Sequence, residues 1–140
     1  MKKELKKYDG DKLMAVHSFT VFPTDMNYSK SLFGGKIVSE IDIAGVKVVR
    51  RALYNTGADG CVTASFERVD FKNPAIEGDL IKMVAKIKSF GRTSINVRIK
   101  VSRESTIGEI EDICEANATF VATKDGVPYP HGLCFDKFKK

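Results

Sequence analysis

The clearest pattern in the chain lies at residues 92–103. Thr93, Ile95, Val97, Ile99 and Val101 alternate with Ser94, Asn96, Arg98, Lys100 and Ser102. A period of two predicts a strand with one buried face and one wet face. Residues 13–22, 62–71, 80–90 and 109–123 are rich in β-branched and aromatic side chains and read as further strands. Between them lie the loop 23–31, the break Lys72-Asn73-Pro74, and a turn at Lys124-Asp125-Gly126-Val127-Pro128.

Only residues 34–54 carry a helical period. At about 100° per residue, Val38, Ile41, Gly45, Val48, Val49 and Ala52 share one arc. Lys36, Glu40, Lys47, Arg50 and Arg51 face the other way, with Ile43 the exception among them. Asn55-Thr56-Gly57 supplies residues that tolerate the left-handed conformation of a helix stop. The order is therefore strand, long helix, then four strands joined by short turns, which favours antiparallel pairing. A sheet with one apolar face needs a cover, and one helix is available. The expected class is α+β: an antiparallel sheet of about five strands wrapped around one long central helix, which is the hotdog arrangement.

Composition narrows the partners. The 140 residues suit a single domain, and 43% hydrophobic content allows a full core. The net charge of +5 sits partly in Lys-rich ends, expected to be solvated tails at 1–12 and 133–140 around a domain at 13–132. Aromatics are 9% with no Trp, and no strand carries a mixed aromatic and basic stripe, so nucleic-acid binding is not expected. No apolar stretch approaches the ~20 residues that span a bilayer, and no signal peptide is visible, so no membrane role is expected. Cys61, Cys114 and Cys134 are odd in number and widely spaced, which argues against a disulfide framework or a structural zinc site. Free thiols suggest a reducing compartment, the cytoplasm. No metal site is expected.

Three features carry candidate chemistry. Asp42 lies at the edge of the apolar arc, flanked by Val46 and Leu53. A carboxylate there is costly unless it is paired, and burial would raise its pKa toward that of a base or nucleophile. The bland alternative is a structural Asp satisfied by a hydroxyl such as Ser39 or by a partner chain. Gly34 and Gly35 open the helix, where unpaired N–H groups could hold an oxyanion; a plain loop-to-helix junction is the alternative. Asn27 could orient a water or a carbonyl, although an Asn in a turn ordinarily serves the turn. His17 and His131 have no spacing that pairs either with Asp42, which disfavours dehydratase chemistry.

These features recur in a recognisable order. Val21-Phe22-Pro23-Thr24-Asp25-Met26-Asn27, Leu32-Phe33-Gly34-Gly35 and Asp42-Ile43-Ala44-Gly45 together resemble the signature of hotdog acyl-CoA thioesterases. Phe71 to Asp79, Gly91-Arg92-Thr93-Ser94-Ile95 and Phe120-Val121-Ala122-Thr123 continue the match over residues 13–132. The nearest group is the YciA-like one, which includes the brain-type long-chain acyl-CoA hydrolases. The resemblance implies acyl-CoA as substrate, with coenzyme A as part of substrate and product and no separate cofactor. It implies Asp42 as general base or nucleophile, Asn27 as its partner across a subunit interface, and the Gly34 and Gly35 backbone as oxyanion site. It also implies a homo-oligomer, a dimer at least and commonly a hexamer built as a trimer of dimers. Coenzyme A brings phosphates, for which Arg92, with Thr93 and Ser94 in the same turn, is the leading site and Lys124 a weaker one. The chain departs from the family at Lys30 and Ser31 (usually Gly and Asp), at Asn73 (usually Arg) and at Ala44 (commonly Gly). A non-catalytic acyl-CoA sensor on the same fold is the alternative.

Overall fold

The computed structural model describes residues 13–134. The tail expected at 1–12, and residues 135–140 of the one expected at 133–140, lie outside the described residues. Strand β1 (Met14–Thr20) leads through a 3-10 turn at Pro23–Asp25 into helix α1 (Gly34–Leu53). Strands β2 (Gly60–Phe71), β3 (Leu80–Phe90), β4 (Ser94–Glu104), β5 (Ile110–Lys124) and the short β6 (Val127–Pro128) follow. They form one antiparallel sheet in the order β1-β3-β4-β5-β2, with β6 beside the end of β5. The sheet wraps one face around α1, as the hotdog arrangement requires.

Two expectations shift locally. The strand expected from residue 92 begins at Ser94, leaving Arg92 and Thr93 in the β3–β4 turn. The stretch read as a turn after β5 contains β6, because Val127 and Pro128 fold back to pair with Lys124 and Thr123.

The inward residues of β3 and β4 interleave as the alternation predicts. Ala85 pairs with Ile99, Met83 with Val101, and all four are buried. Ile41, Ala44, Val48 and Ala52 of α1 meet this surface with no exposed area. The buried arc is thus turned toward Ile37 and Ala44, and Val38, expected inside, is only half-buried. The flank carrying Val38 and Asp42 lies toward β2, the last strand of the sheet, and no further element among the described residues lies beyond β2. Gly45 allows the closest approach of helix to sheet: a Cβ there would fall 2.5 Å from Cζ of the buried Phe120 ring. Helix α1 ends at Leu53 with Tyr54 as C-cap, Asn55 follows in the left-handed region at φ 66°, and Thr56 Oγ1 donates to the Leu53 carbonyl at 2.6 Å. Arg50 and Arg51 in the last turn complement the negative end of the helix dipole.

Asp79 anchors the loop before β3. It is 1% exposed and accepts from the Ile76 N–H and from Arg103 Nη1, both at 2.9 Å. Its own backbone carbonyl accepts from the Val21 N–H. Removing the carboxylate would strand the Ile76 N–H without its acceptor, while Arg103 would keep its second partner, Glu111 at 3.2 Å. Asp79→Ala is expected to lower the unfolding free energy by about 2 kcal/mol, read as a shift of the urea midpoint; an unmoved midpoint would show that these bonds contribute nothing.

Candidate active site

Helix α1 and strand β2 run in opposite directions along the open flank, and Asp42 meets Thr63 midway. Thr63 Oγ1 donates to Asp42 Oδ1 at 2.5 Å. Toward the helix C-terminus the seam widens into a concavity of about 410 Å³ lined by Val46, Arg50, Leu53 and Cys61 among others. Toward the helix N-terminus lies another of about 330 Å³, lined by Gly34, Ile37, Phe71 and Asn73 among others. Asp42 is half-buried between them. Ser39, considered as its hydroxyl partner, donates instead to the Lys36 carbonyl at 2.8 Å. Sequence reasoning did not single out Thr63. Its only signal is a hydroxyl on a strand adjacent to the helix, and pairing across two elements is invisible to local pattern.

The helix N-terminus is uncapped. Its N-cap is Phe33, which offers no side-chain acceptor, and the first turn carries no acid. The N–H groups of Lys36 and Ile37 both turn back to the Phe33 carbonyl, at 3.0 and 3.3 Å. The Gly34 and Gly35 N–H groups are left without an acceptor among the described residues. Unpaired donors at a positive dipole end suit a developing oxyanion.

Asn27 does serve its turn. Its Oδ1 accepts from the Ser29 N–H at 2.9 Å and the Ser31 N–H at 3.2 Å. That fixes the amide and leaves Nδ2 as a donor with no acceptor among the described residues. The turn is tied to the helix entry by Phe33 N–H donating to the Asp25 carbonyl at 2.9 Å. Asn27 and the two glycines therefore form one unit. Asp42 is not joined to it by any hydrogen bond among the described residues. Gly34 and Asp42 are eight positions apart on the helix, about 12 Å along the axis.

Other candidate groups lie elsewhere. His17 finds a carboxylate, but it is Glu40, at 2.5 Å from Nε2. Lys47 Nζ donates to His17 Nδ1 at 2.8 Å, so the ring proton sits on Nε2. Glu40, read as solvent-facing, is held against β1 and also pairs with Lys36 at 3.1 Å. Burial pushes the Glu40 carboxyl up, but the bonds from His17 and Lys36 outweigh it and hold it below its ordinary range. On the helical wheel this network faces away from Asp42. Burial raises the Cys61 thiol, as does the Asp42 carboxylate, and burial pushes Cys114 up to about 11, so neither is an activated nucleophile. No group of side chains that could hold a metal occurs among the described residues, and no described helix is long and apolar enough to cross a membrane.

Arg92 is exposed at the tip of the β3–β4 turn, with no ion pair among the described residues. Lys124 instead lies over the Tyr129 ring, 5.5 Å from its centroid. Asn73, at a departure from the family pattern, donates from Nδ2 to the Asp112 carbonyl at 2.7 Å and so braces the wall of the N-terminal concavity.

Residues 30–109 match the Thioesterase superfamily. The acyl-CoA thioester hydrolase YkhA of Bacillus subtilis, itself uncharacterized, is 36% identical over 82% of this chain, and the chain spans 66% of that protein's length. The acyl-CoA thioester hydrolase YciA of Salmonella typhimurium is 30% identical over 77% of this chain and 82% of its own. Among solved structures, an apo-hexameric acyl-CoA thioesterase superposes with a TM-score of 0.79 and 30% identity, covering 89% of this chain and 78% of the other. An acyl-CoA hydrolase from Staphylococcus aureus, solved with butyryl coenzyme A and coenzyme A, gives a TM-score of 0.78 at 27% identity, covering 87% and 73%. That enzyme has also been solved with alanine in place of an aspartate, a threonine or an asparagine. Matching the family over more than half its length, the chain belongs to the thioesterase superfamily, among the hotdog-fold acyl-CoA thioester hydrolases.

Proposed function

We propose that the protein hydrolyses acyl-CoA to a fatty acid and coenzyme A in a site shared between two subunits. The observation that carries this reading is the Asp42–Thr63 pair on an open seam, about two helical turns from a helix end with two unpaired N–H donors. The Gly34 and Gly35 N–H groups and Asn27 Nδ2 hold the thioester carbonyl and take up its negative charge as the tetrahedral intermediate forms. Thr63 occupies Asp42 Oδ1 and leaves Oδ2 to act. As general base, Asp42 takes a proton from water while the water oxygen attacks the carbonyl carbon. As nucleophile, it forms an anhydride that water then opens. In either course the C–S bond breaks and the coenzyme A sulfur leaves, taking a proton.

One protomer does not assemble this machinery. A carbonyl oxygen is too small to bridge the roughly 12 Å of helix between Gly34 and Asp42. Asp42 and Thr63 of one subunit therefore act with Asn27, Gly34 and Gly35 of another. Strand β2 supports such an assembly: it is a long edge strand of 12 residues with Val62 and Phe71 exposed. Edges of that kind ordinarily pair or are covered. A homo-oligomer, a dimer at least and on the pattern of the relatives a hexamer, follows. The diphosphate and 3′-phosphate of coenzyme A run to the β3–β4 turn, where Arg92 supplies charge and Thr93 and Ser94 supply hydroxyls. The three free thiols suit a reducing cytoplasm.

Thiol release from acyl-CoA esters of two to eighteen carbons is the direct test. Wild type is expected to hydrolyse a band of chain lengths, and Asp42→Ala to lose about 100-fold or more in kcat with the oligomer intact; equal rates in the two proteins would sink the mechanism. Binding of acyl-CoA by wild type without hydrolysis would establish the sensor reading instead.

Thr63→Val, which removes only a bond to a charged group, is expected to lower kcat about 10- to 100-fold with little change in melting temperature. An unchanged kcat would make the hydroxyl a bystander.

Asp42→Ala and Asn27→Ala proteins, each impaired, are expected to regain activity when unfolded and refolded together, since mixed oligomers contain sites with both groups intact. Failure of mixtures that do exchange subunits would place the whole site in one chain.

A further inference from the structure

His131 is one of three buried polar or charged residues among those described, with Asp79 and Thr123, and it is 4% exposed. It lies beyond β6, outside the catalytic seam. Its imidazole is gripped at both nitrogens: Nε2 bonds the Ser94 carbonyl at 2.9 Å, and the Leu133 N–H donates to Nδ1 at 2.9 Å. Because Nδ1 must accept, Nε2 carries the proton and donates. The His131 N–H donates to the Arg92 carbonyl at 3.3 Å, and the ring meets Phe90 edge-on at 5.6 Å between centroids. One residue thus holds both sides of the β3–β4 turn.

Backbone pairing flanks the turn, Phe90 opposite Ile95 and Ser94 opposite Val121. Gly91 N–H donates to the Ser94 carbonyl at 2.9 Å, and Ala122 N–H to the Thr93 carbonyl at 2.8 Å. Gly91 lies so close to Ser94 that a Cβ would fall 2.2 Å from Oγ. Arg92 has no ion pair among the described residues to fix it. The direction in which Arg92 points is then set by its backbone, and His131 is the side chain that fixes that backbone. Residues 130–133 form a strap across the turn, and Leu133, expected in the C-terminal tail, is buried at 5% and locks its far end.

We propose that His131 is a positioning residue for the phosphate end of coenzyme A, acting through the Gly91–Ser94 turn. This rests on the reading of that turn as the phosphate site. Its signature separates from catalysis, because the turn touches the leaving group far from the scissile bond. It is also pH-sensitive: a second proton on the ring would face the Leu133 N–H and break that grip. Burial lowers the pKa of His131 from its ordinary value, and the Ser94 carbonyl partly opposes this. The neutral ring therefore supports the turn above about pH 6.5, and the support is lost as pH falls through the lower folded value. The titratable groups on the neighbouring segments are Arg92 on the turn, Lys124 and Tyr129 before the strap and Cys134 after it, and the shift itself comes from burial and the Ser94 carbonyl.

The test compares acyl-CoA with the same acyl group on pantetheine, which lacks the phosphates, for wild type, His131→Ala, His131→Asn and Arg92→Ala oligomers. His131→Ala is expected to raise KM for acyl-CoA about tenfold, the scale of one buried hydrogen bond, with kcat and the pantetheine reaction unchanged. His131→Asn, whose Oδ1 falls where Nδ1 does and can still accept from the Leu133 N–H but whose amide does not reach the Ser94 carbonyl, should restore part of the loss and lack the rise of KM at acid pH expected of wild type. An Arg92→Ala protein with raised KM beside His131 variants with normal KM would overturn this inference alone. Normal KM in both would overturn the phosphate reading with it. A His131→Asn protein that loses kcat on both substrates would reduce His131 to a purely structural residue.

Discussion

Burial of one face of α1 against one face of the sheet is the contact on which the rest of the structure depends. Ile41, Ala44, Val48 and Ala52 meet the inward rows of β3, β4 and β5, and all are inaccessible to water. Each such side chain contributes on the order of 1–3 kcal/mol by leaving water. The absence of a Cβ at Gly45 lets the helix sit directly on Phe120. The contact runs to the C-terminal end of the helix, where Ala52 and Leu53 are buried, while at the N-terminal end the Gly34 and Gly35 N–H groups stay without an acceptor among the described residues.

The same contact creates the site by leaving it incomplete. A single helix covers the middle strands well and the β2 side poorly. Asp42 consequently stands on a seam, with Thr63 across from it and concavities on either side. In a closed core this carboxylate would be a liability. On a half-open flank it is a reactive group held in one orientation by one hydroxyl. Substrate binding and subunit contact then draw on the same surface, because the flank that exposes Asp42 also exposes the backbone edge of β2.

Loop chemistry supplies the remaining parts, and each loop residue first serves its loop. Asn27 closes its own turn with Oδ1 and is thereby left with an oriented amide nitrogen. Phe33 cannot cap the helix, and so Gly34 and Gly35 keep their donors. His131 stitches the end of the chain to the β3–β4 turn. The local hydrogen bonding that seems to compete with a chemical role is what holds the chemical atoms in place.

Strands and helix were legible in the sequence because their periods, two and 3.6, are local properties of neighbouring residues. The long strand at 80–90 and the helix start at Gly34 need no tertiary information. A single helix beside several strands also forced the wrapped arrangement, since no other cover exists. Asp42 stood out because a carboxylate breaks an apolar arc, and Asn27, Gly34 and Gly35 were reached through their order along the chain. Thr63, Glu40 beside His17, and His131 beneath the turn were not legible. Each depends on which residue of a distant element lies opposite, and that is decided by strand order, register and the rotation of α1 on the sheet. The tertiary structure turned the helix toward Ile37 and Ala44, gave Asp42 a threonine instead of Ser39, and brought residues 37 positions apart together at Ser94 and His131. Sequence spacing sets the faces of each element; only packing sets which faces meet.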